Sequence, residues 1–454
     1  MLALTLALIP LIAAKKAQTF VAPGNGPTEQ SPNYTGASNV YDRFITIWLE
    51  NTDFDSAGSS PTFQKLAKQG ILLEQYHAVT HPSEPNYVAA MAGDFFGMHD
   101  DDMYFLPSNV SSLVDLLEAR NIAWASYQEN MPTDAFDKDY TQDNYVNGQG
   151  NYTYYKRKHN PHIILNSVAE NPERALRVRN FNDFAVDVNN SALPQHVWIT
   201  PNMVNDAHDT DVKYTSDWLE YWLVPLLENP NFNGNKTLIQ LTFDENESYS
   251  IQNRIFTVLL GNAVPENLRG TNDSTFYTHY SHLSSVQNNW DLPSLGRQDA
   301  NKTLANVFDF QAKTTNYSNY APKPEEIPQL NLTGIYPGAC NPDMWTPILA
   351  PNVNGSGAGN GTVFFNASST NVDLTTAEPV NLTATGGINP LNINPNFTYN
   401  PLQIVNQSSV ANATAASSSS DANAKSKDKE HSSASKAGVV TGVVAAAAAL
   451  AVLA

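Results

Sequence analysis

Two pairs of oxygen-bearing side chains directly follow apolar runs. Glu50 and Asn51 come after residues 44–49, and Asp244 and Glu245 come after residues 237–243. A third group follows the run 71–79, with Thr80, His81, Pro82, Ser83, Glu84, Pro85, Asn86 and Tyr87 in succession. A fourth follows 196–199, where Thr200, Pro201 and Asn202 lead to Asn205, Asp206, Ala207, His208 and Asp209. Further on stand Thr278, His279, Tyr280, Ser281 and His282, and Lys158-His159 is a basic point between these groups. Oxygen donors with a few imidazoles suit a hard or borderline divalent cation. A hydroxyl beside such a cation is a nucleophile, because the cation lowers its pKa and neutralises an incoming phosphate.

Each piece also has a plainer reading. Glu50-Asn51 can simply open a polar loop. Ser83 stands between Pro82 and Pro85, which can present the hydroxyl rigidly or merely form a turn. Asp244 and Glu245 repel one another unless something positive lies between them, yet both can be solvated. Asp206, His208 and Asp209 fit a second metal cluster or a hydrogen-bonded loop. His279 and His282, three apart, can share a site or a surface turn. Lys158-His159 can meet a phosphate or face water. His77, His99, His162 and His196 are read as structural.

The elements that must position these residues alternate. Strand-length apolar runs occupy 44–49, 71–79, 123–127, 196–199, 237–243 and 254–260, with helical spacing over 62–68, 110–119 and 216–227. Alternating strands and helices predict an α/β fold with a mainly parallel sheet covered on both faces. In such a sheet, ligands bind beyond the carboxyl ends of the strands, where the groups above fall. The formal net charge of −19 argues against nucleic acid and anionic membrane surfaces as partners. Cys340 is the single cysteine, so an exported domain must rely on a large core rather than disulfides.

The two ends carry addresses. Residues 2–14 form an apolar run followed by Lys15 and Lys16, which reads as a signal peptide over 1–17. Small residues 417–424, a polar spacer 425–436 and an apolar tail 438–454 read as a GPI-attachment signal over 425–454, with Asn423 as the attachment residue and Ser433 or Ala434 as alternatives. A C-terminal transmembrane anchor is the other reading. N-x-[ST] sequons at Asn33, Asn109, Asn151, Asn235, Asn272, Asn301, Asn316, Asn331, Asn366 and Asn396 predict a glycoprotein at the cell surface or wall. Asn246 also heads a sequon, but beside Glu245 a glycan would crowd the cleft, so it is expected to be bare. After about residue 345, Asn, Ser, Thr, Gly and Pro dominate. We read 18–345 as the catalytic domain and 346–424 as a glycosylated stalk.

Taken together, the stretches 48–54, 81–87, 157–161, 201–209 and 242–245 resemble the phosphoesterase family of acid phosphatases and bacterial-type phospholipases C, in particular the fungal secreted acid phosphatases. The resemblance covers about residues 43–310. It implies an alkaline-phosphatase-like core and a divalent metal cation held by Glu50, Asn51, Asp244 and Glu245. Ser83 would be the nucleophile, forming a phospho-enzyme. His279 would bind phosphate or metal. Asp206, His208 and Asp209 would protonate the leaving group or bind a second ion. The expected function is an exported acid phosphatase acting on small phosphate monoesters, with Asn86, Lys158 and His159 as substrate donors and His208 as the acid. A phospholipase C or other phosphodiesterase on the same scaffold is the alternative, using Tyr87, Phe95, Phe96, Tyr104 and Phe105 as an apolar rim. A non-catalytic cell-wall glycoprotein is the third reading.

Overall fold

The computed structural model describes residues 38–96, 98, 100–234, 236–327, 352 and 354–364. Its strands are β1 (Arg43–Leu49), β2 (Ile71–His77), β3 (Trp124–Gln128), β4 (Tyr140–Asp143), β5 (Asn151–Tyr155), β6 (Val178–Asn180), β7 (His196–Thr200), β8 (Thr237–Phe243), β9 (Thr257–Leu260) and β10 (Thr271–Thr278). Eight of them form one sheet in the order β10-β2-β9-β8-β1-β7-β3-β6. β1 pairs in parallel with β7 and β8, while β9 runs antiparallel between β2 and β8. The other pairs in this sheet are parallel. β4 and β5 make a separate antiparallel hairpin. The main helices, packed around the sheet, are Pro61–Gln69, Ser83–Ala92, Leu113–Ala119, Phe181–Asn189, Val212–Leu227 and His279–Trp290.

The fold class is therefore α/β with a mostly parallel sheet, as the alternation of runs predicts. β3, β7 and β8 are buried along their whole length, which is why they read as continuous apolar runs rather than as alternating ones. Parallel strands bring the residues after β1, β2, β7, β8 and β10 to one edge of the sheet. Directly under that edge, Trp48 stacks on Trp198 with centroids 4.6 Å apart. Trp48 also touches Tyr87 and His279. The floor of the cleft is thus a rigid aromatic layer, and such ring pairs contribute about 1 kcal/mol beyond their buried area.

Several local expectations change. Ser83 begins a helix rather than sitting in a turn. β10 carries no apolar run, because its first residues alternate between exposed and half-buried at the sheet edge. Thr278 then caps the next helix, with Ser281 completing a capping box.

Part of the segment read as a stalk is described by the structure. Residues 354–364 dock on the domain. Asn360 N–H and Phe364 N–H donate to the carbonyls of Leu292 and Ser294, and Val363 forms a bridge with Ser294. The contact is too close for a side chain at residue 359, since a Cβ on Gly359 would lie 2.1 Å from the Leu292 oxygen. The expected signal peptide, the anchor signal with Asn423, His99, and sequons Asn33, Asn235, Asn331, Asn366 and Asn396 lie outside the described residues.

Of the described sequons, Asn151, Asn272 and Asn316 are exposed and Asn109 is partly so. Asn301 is buried, with its amide donating to Gln298 Oε1, so the expectation of a glycan there is corrected. Asn246 is fully buried and its amide is spent on Asp53 and on the Ser248 carbonyl.

Candidate active site

Ser83 is the first residue of its helix and is buried at the sheet edge. Its hydroxyl lies 3.1 Å from Glu50 Oε2 and 3.2 Å from Glu245 Oε1, one donor between two carboxylates. Asn51 joins the same group, its N–H donating to Asp244 Oδ1 and its amide to Glu245 Oε1. The ends of β1 and β8 and the start of the Ser83 helix therefore meet, as the order of residues after the strands predicts. Glu50 also accepts from the Tyr87 hydroxyl, and Glu245 is hydrogen-bonded by His81 Nδ1. Tyr249 stacks on the His81 ring at 4.1 Å and stands at the lip of the site.

This cluster is strongly acidic and dry. Burial pushes the Glu50 carboxyl well up, and neighbouring Asp244 adds to the rise. Burial and Glu245 do the same to Asp244. Lys158 is the nearby positive charge, tied to Asp101 at 2.7 Å. Burial works against that charge, but Asp101 and Glu50 outweigh it and raise the Lys158 pKa.

Asn51 Oδ1 and Asp244 Oδ2 are buried and accept no hydrogen bond. Leaving such oxygens dry and unpaired is costly. Among the described residues, no three His, Cys, Asp or Glu side chains alone are set around one point as a ligand group. The fit to a divalent cation comes from the mixed oxygen set of Glu50, Asn51, Asp244 and Glu245, with Ser83 beside it.

A second group lies next to the first. His159 is wedged between Glu50 Oε1 at 3.3 Å and Asp206 Oδ2 at 3.9 Å. Burial, helped by Lys158, lowers its pKa well below the usual imidazole value. His208 stands 6.0 Å from His159, ring to ring. The His208 N–H donates to Asp206 Oδ1, and its Nδ1 lies 2.8 Å from Asp209 Oδ1. The His208 side chain is 29% exposed, so it faces the mouth of the cleft.

Three residues with expected roles have side chains engaged by other groups of the protein. Asn86 uses its amide to brace the turn before Ser83, accepting from Val79 N–H and Thr80 N–H and donating to the carbonyls of Thr80 and Pro82. It has no donor left for a substrate. His279 is fully buried, and its Nε2 donates to the Asp244 carbonyl at 2.6 Å, so it braces the backbone of Asp244. Asp209 is engaged by His208 and Tyr152 rather than by the Glu50 cluster. His81, Tyr87, Tyr152 and Tyr249 carried no expected role in catalysis or metal binding. His81 and Tyr87 flank Ser83 in the sequence, which was the available signal. Tyr152 comes from the distant strand β5 and Tyr249 from a distant loop, and neither gave one.

The chain is similar to several known proteins. A phosphoesterase family model matches residues 52–293. The chain is 47% identical to a protein named acid phosphatase from Aspergillus fumigatus, over 67% of each chain. It is 48% identical to another of that name from Aspergillus niger, over 69% of this chain and 72% of the other. Among solved structures, one of the alkaline phosphatase superfamily from Vibrio parahaemolyticus overlaps 59% of this chain and 70% of its own at 10% identity, with a TM-score of 0.36.

Proposed function

The chain belongs to the phosphoesterase family, and on that premise we propose that it is an acid phosphatase which hydrolyses small phosphate monoesters through a phosphoserine at Ser83. The observation that carries this reading is the shared Ser83 hydroxyl between Glu50 and Glu245. A divalent cation held by Glu50, Asn51, Asp244 and Glu245 would supply positive charge for the serine oxygen and the phosphoryl oxygens.

The chain's own residues do the rest. Ser83 Oγ forms the new bond to phosphorus while its proton leaves along the hydrogen bond to Glu50 or Glu245. The P–O bond to the leaving group breaks, its electron pair stays on oxygen, and His208 gives that oxygen a proton. Water then attacks phosphorus and neutral His208 takes the water's proton, while the Oγ–P bond breaks, its electron pair stays on the serine oxygen, and that oxygen recovers its proton from the glutamate. Lys158 sits near enough to Glu50 and Glu245 to feel both charges and adds a cation at the rim.

The lipid alternative is disfavoured by burial. Tyr87, Phe95, Phe96 and Tyr104 are core residues, and of the expected rim Phe105 alone is exposed. Export is part of the proposal and is supported by the apolar run 2–14 and by exposed sequons.

Ser83→Ala tests the reading directly. It should abolish p-nitrophenyl phosphate turnover and the acid-stable phosphoserine seen on rapid quenching, with the fold intact. Retained turnover would remove Ser83 from the chemistry.

A further inference from the structure

The β4–β5 hairpin is pinned against the loop after β7 by its tyrosines. Tyr145 OH accepts from the Asn202 amide, and the Met203 N–H donates to the Tyr154 carbonyl. Tyr152, in β5, hydrogen-bonds Asp209 Oδ2. The other Asp209 oxygen faces His208 Nδ1. Both carboxylate oxygens of Asp209 are thus occupied, one by Tyr152 and one by His208, which fixes the plane of the carboxylate. A carboxylate only accepts, so Nδ1 of His208 must carry its proton toward Asp209, and Nε2 is left as the working nitrogen.

We propose that Tyr152 is a positioning residue for the leaving-group proton donor. It holds Asp209, and through Asp209 it fixes the ring orientation and tautomer of His208. The proposal rests on the reading of His208 as that donor. The hairpin is then a functional part of the active site. Strand alternation sends Tyr152 to the opposite face from its neighbours Asn151 and Thr153. Asn151 is exposed, so a glycan on it leaves the tyrosine side of the hairpin clear.

The test compares leaving groups. A poor alkoxide leaving group needs protonation, whereas p-nitrophenolate leaves without it. Tyr152→Phe keeps the ring packed on Tyr154, 4.7 Å away, and removes only the hydroxyl. We expect it to lower kcat/KM for glycerol 2-phosphate about 10-fold while p-nitrophenyl phosphate stays within about 2-fold. Asp209→Asn should give the same selective loss, larger in size, and decides the matter if the tyrosine variant does not fold. His208→Gln should lower the alkyl ester about 100-fold or more, also selectively. If His208→Gln is selective and both other variants leave the alkyl-to-aryl ratio unchanged, the positioning role is wrong and the acid assignment stands. If His208→Gln slows both esters equally, the acid assignment fails and this inference falls with it. Neither result touches Ser83, whose own test is separate.

Discussion

His279 and Asp244 are joined by a hydrogen bond from the imidazole Nε2 to the Asp244 carbonyl, 2.6 Å long. The histidine side chain therefore grips the backbone of Asp244 and leaves its carboxylate to the Asn51 side of the site. His279 also packs on Trp48, 4.7 Å between ring centres. Replacing it by alanine removes both contacts and opens a cavity. We expect His279→Ala to destabilise the protein by about 2 to 4 kcal/mol in urea unfolding. Residual phosphatase activity should then need a higher divalent-cation concentration for half-saturation. Unchanged stability would mean that His279 is not the brace.

Cation removal should make stability depend on pH in a specific direction. Burial raises the folded-state pKa of Glu50, Asp206 and Asp244, with carboxylate neighbours adding to it. Burial also raises Glu129 to about 7, against hydrogen bonds from Asn205 and Asn202. A raised carboxyl pKa contributes stability that is fully present below the unfolded value. That stability is lost as pH rises through the folded value. The contribution of these carboxyls should therefore lower the melting temperature of the chelated protein progressively between about pH 4.5 and 7, widening its gap from the cation-loaded protein. Saturating divalent cation should flatten this slope, and scanning calorimetry with and without chelator checks it.

Buried histidines pull the other way. Burial lowers His77, His162 and His196 to about 3, with Arg254 adding to the shift at His77 and His196 to that at His162. The unfolded chain takes up these protons first, so stability falls as pH drops from about 6.5 toward 3. Both His196 ring nitrogens are buried with no hydrogen-bond partner, and the ring lies 5.9 Å from that of Phe44. His196→Phe should raise stability at pH 4 more than at pH 7, by about 3 kcal/mol in difference. An equal effect at both pH values would show that His196 titrates normally in the fold.

Glycan mapping separates exposed from buried sequons. Asn151, Asn272 and Asn316 should carry glycans in protein made by a glycosylating host. Asn246 and Asn301 should remain bare, since each is buried with its amide already hydrogen-bonded. Peptide mass spectrometry after deglycosylation in heavy-oxygen water reads this out. A mark at Asn301 would mean that its surroundings open before or after folding.

Much of the frame was legible because burial writes itself into residue choice. β1 and β8 are almost wholly buried and appear as mainly apolar runs, interrupted by Thr46 in β1 and by Gln240 and Thr242 in β8. The acids after them follow directly, so Glu50, Asn51, Asp244 and Glu245 could be placed together. β10 was missed because an edge strand with alternating exposure has no such run. Side-chain direction was also beyond reach. Asn86 and His279 have the right types and positions for substrate contact, but one turns toward its own loop and the other toward a carbonyl. Tyr152 reaches Asp209 across 57 residues, a contact that no local pattern encodes.

The docked segment of residues 354–364 sets a direction. It lies at the Trp290 end of the helix that starts with His279 inside the cleft. Twelve residues separate those two ends, about 18 Å at the usual rise of a helix. Residue 364 therefore lies at the rear of the domain, and an attachment made there would leave the mouth around His208 open.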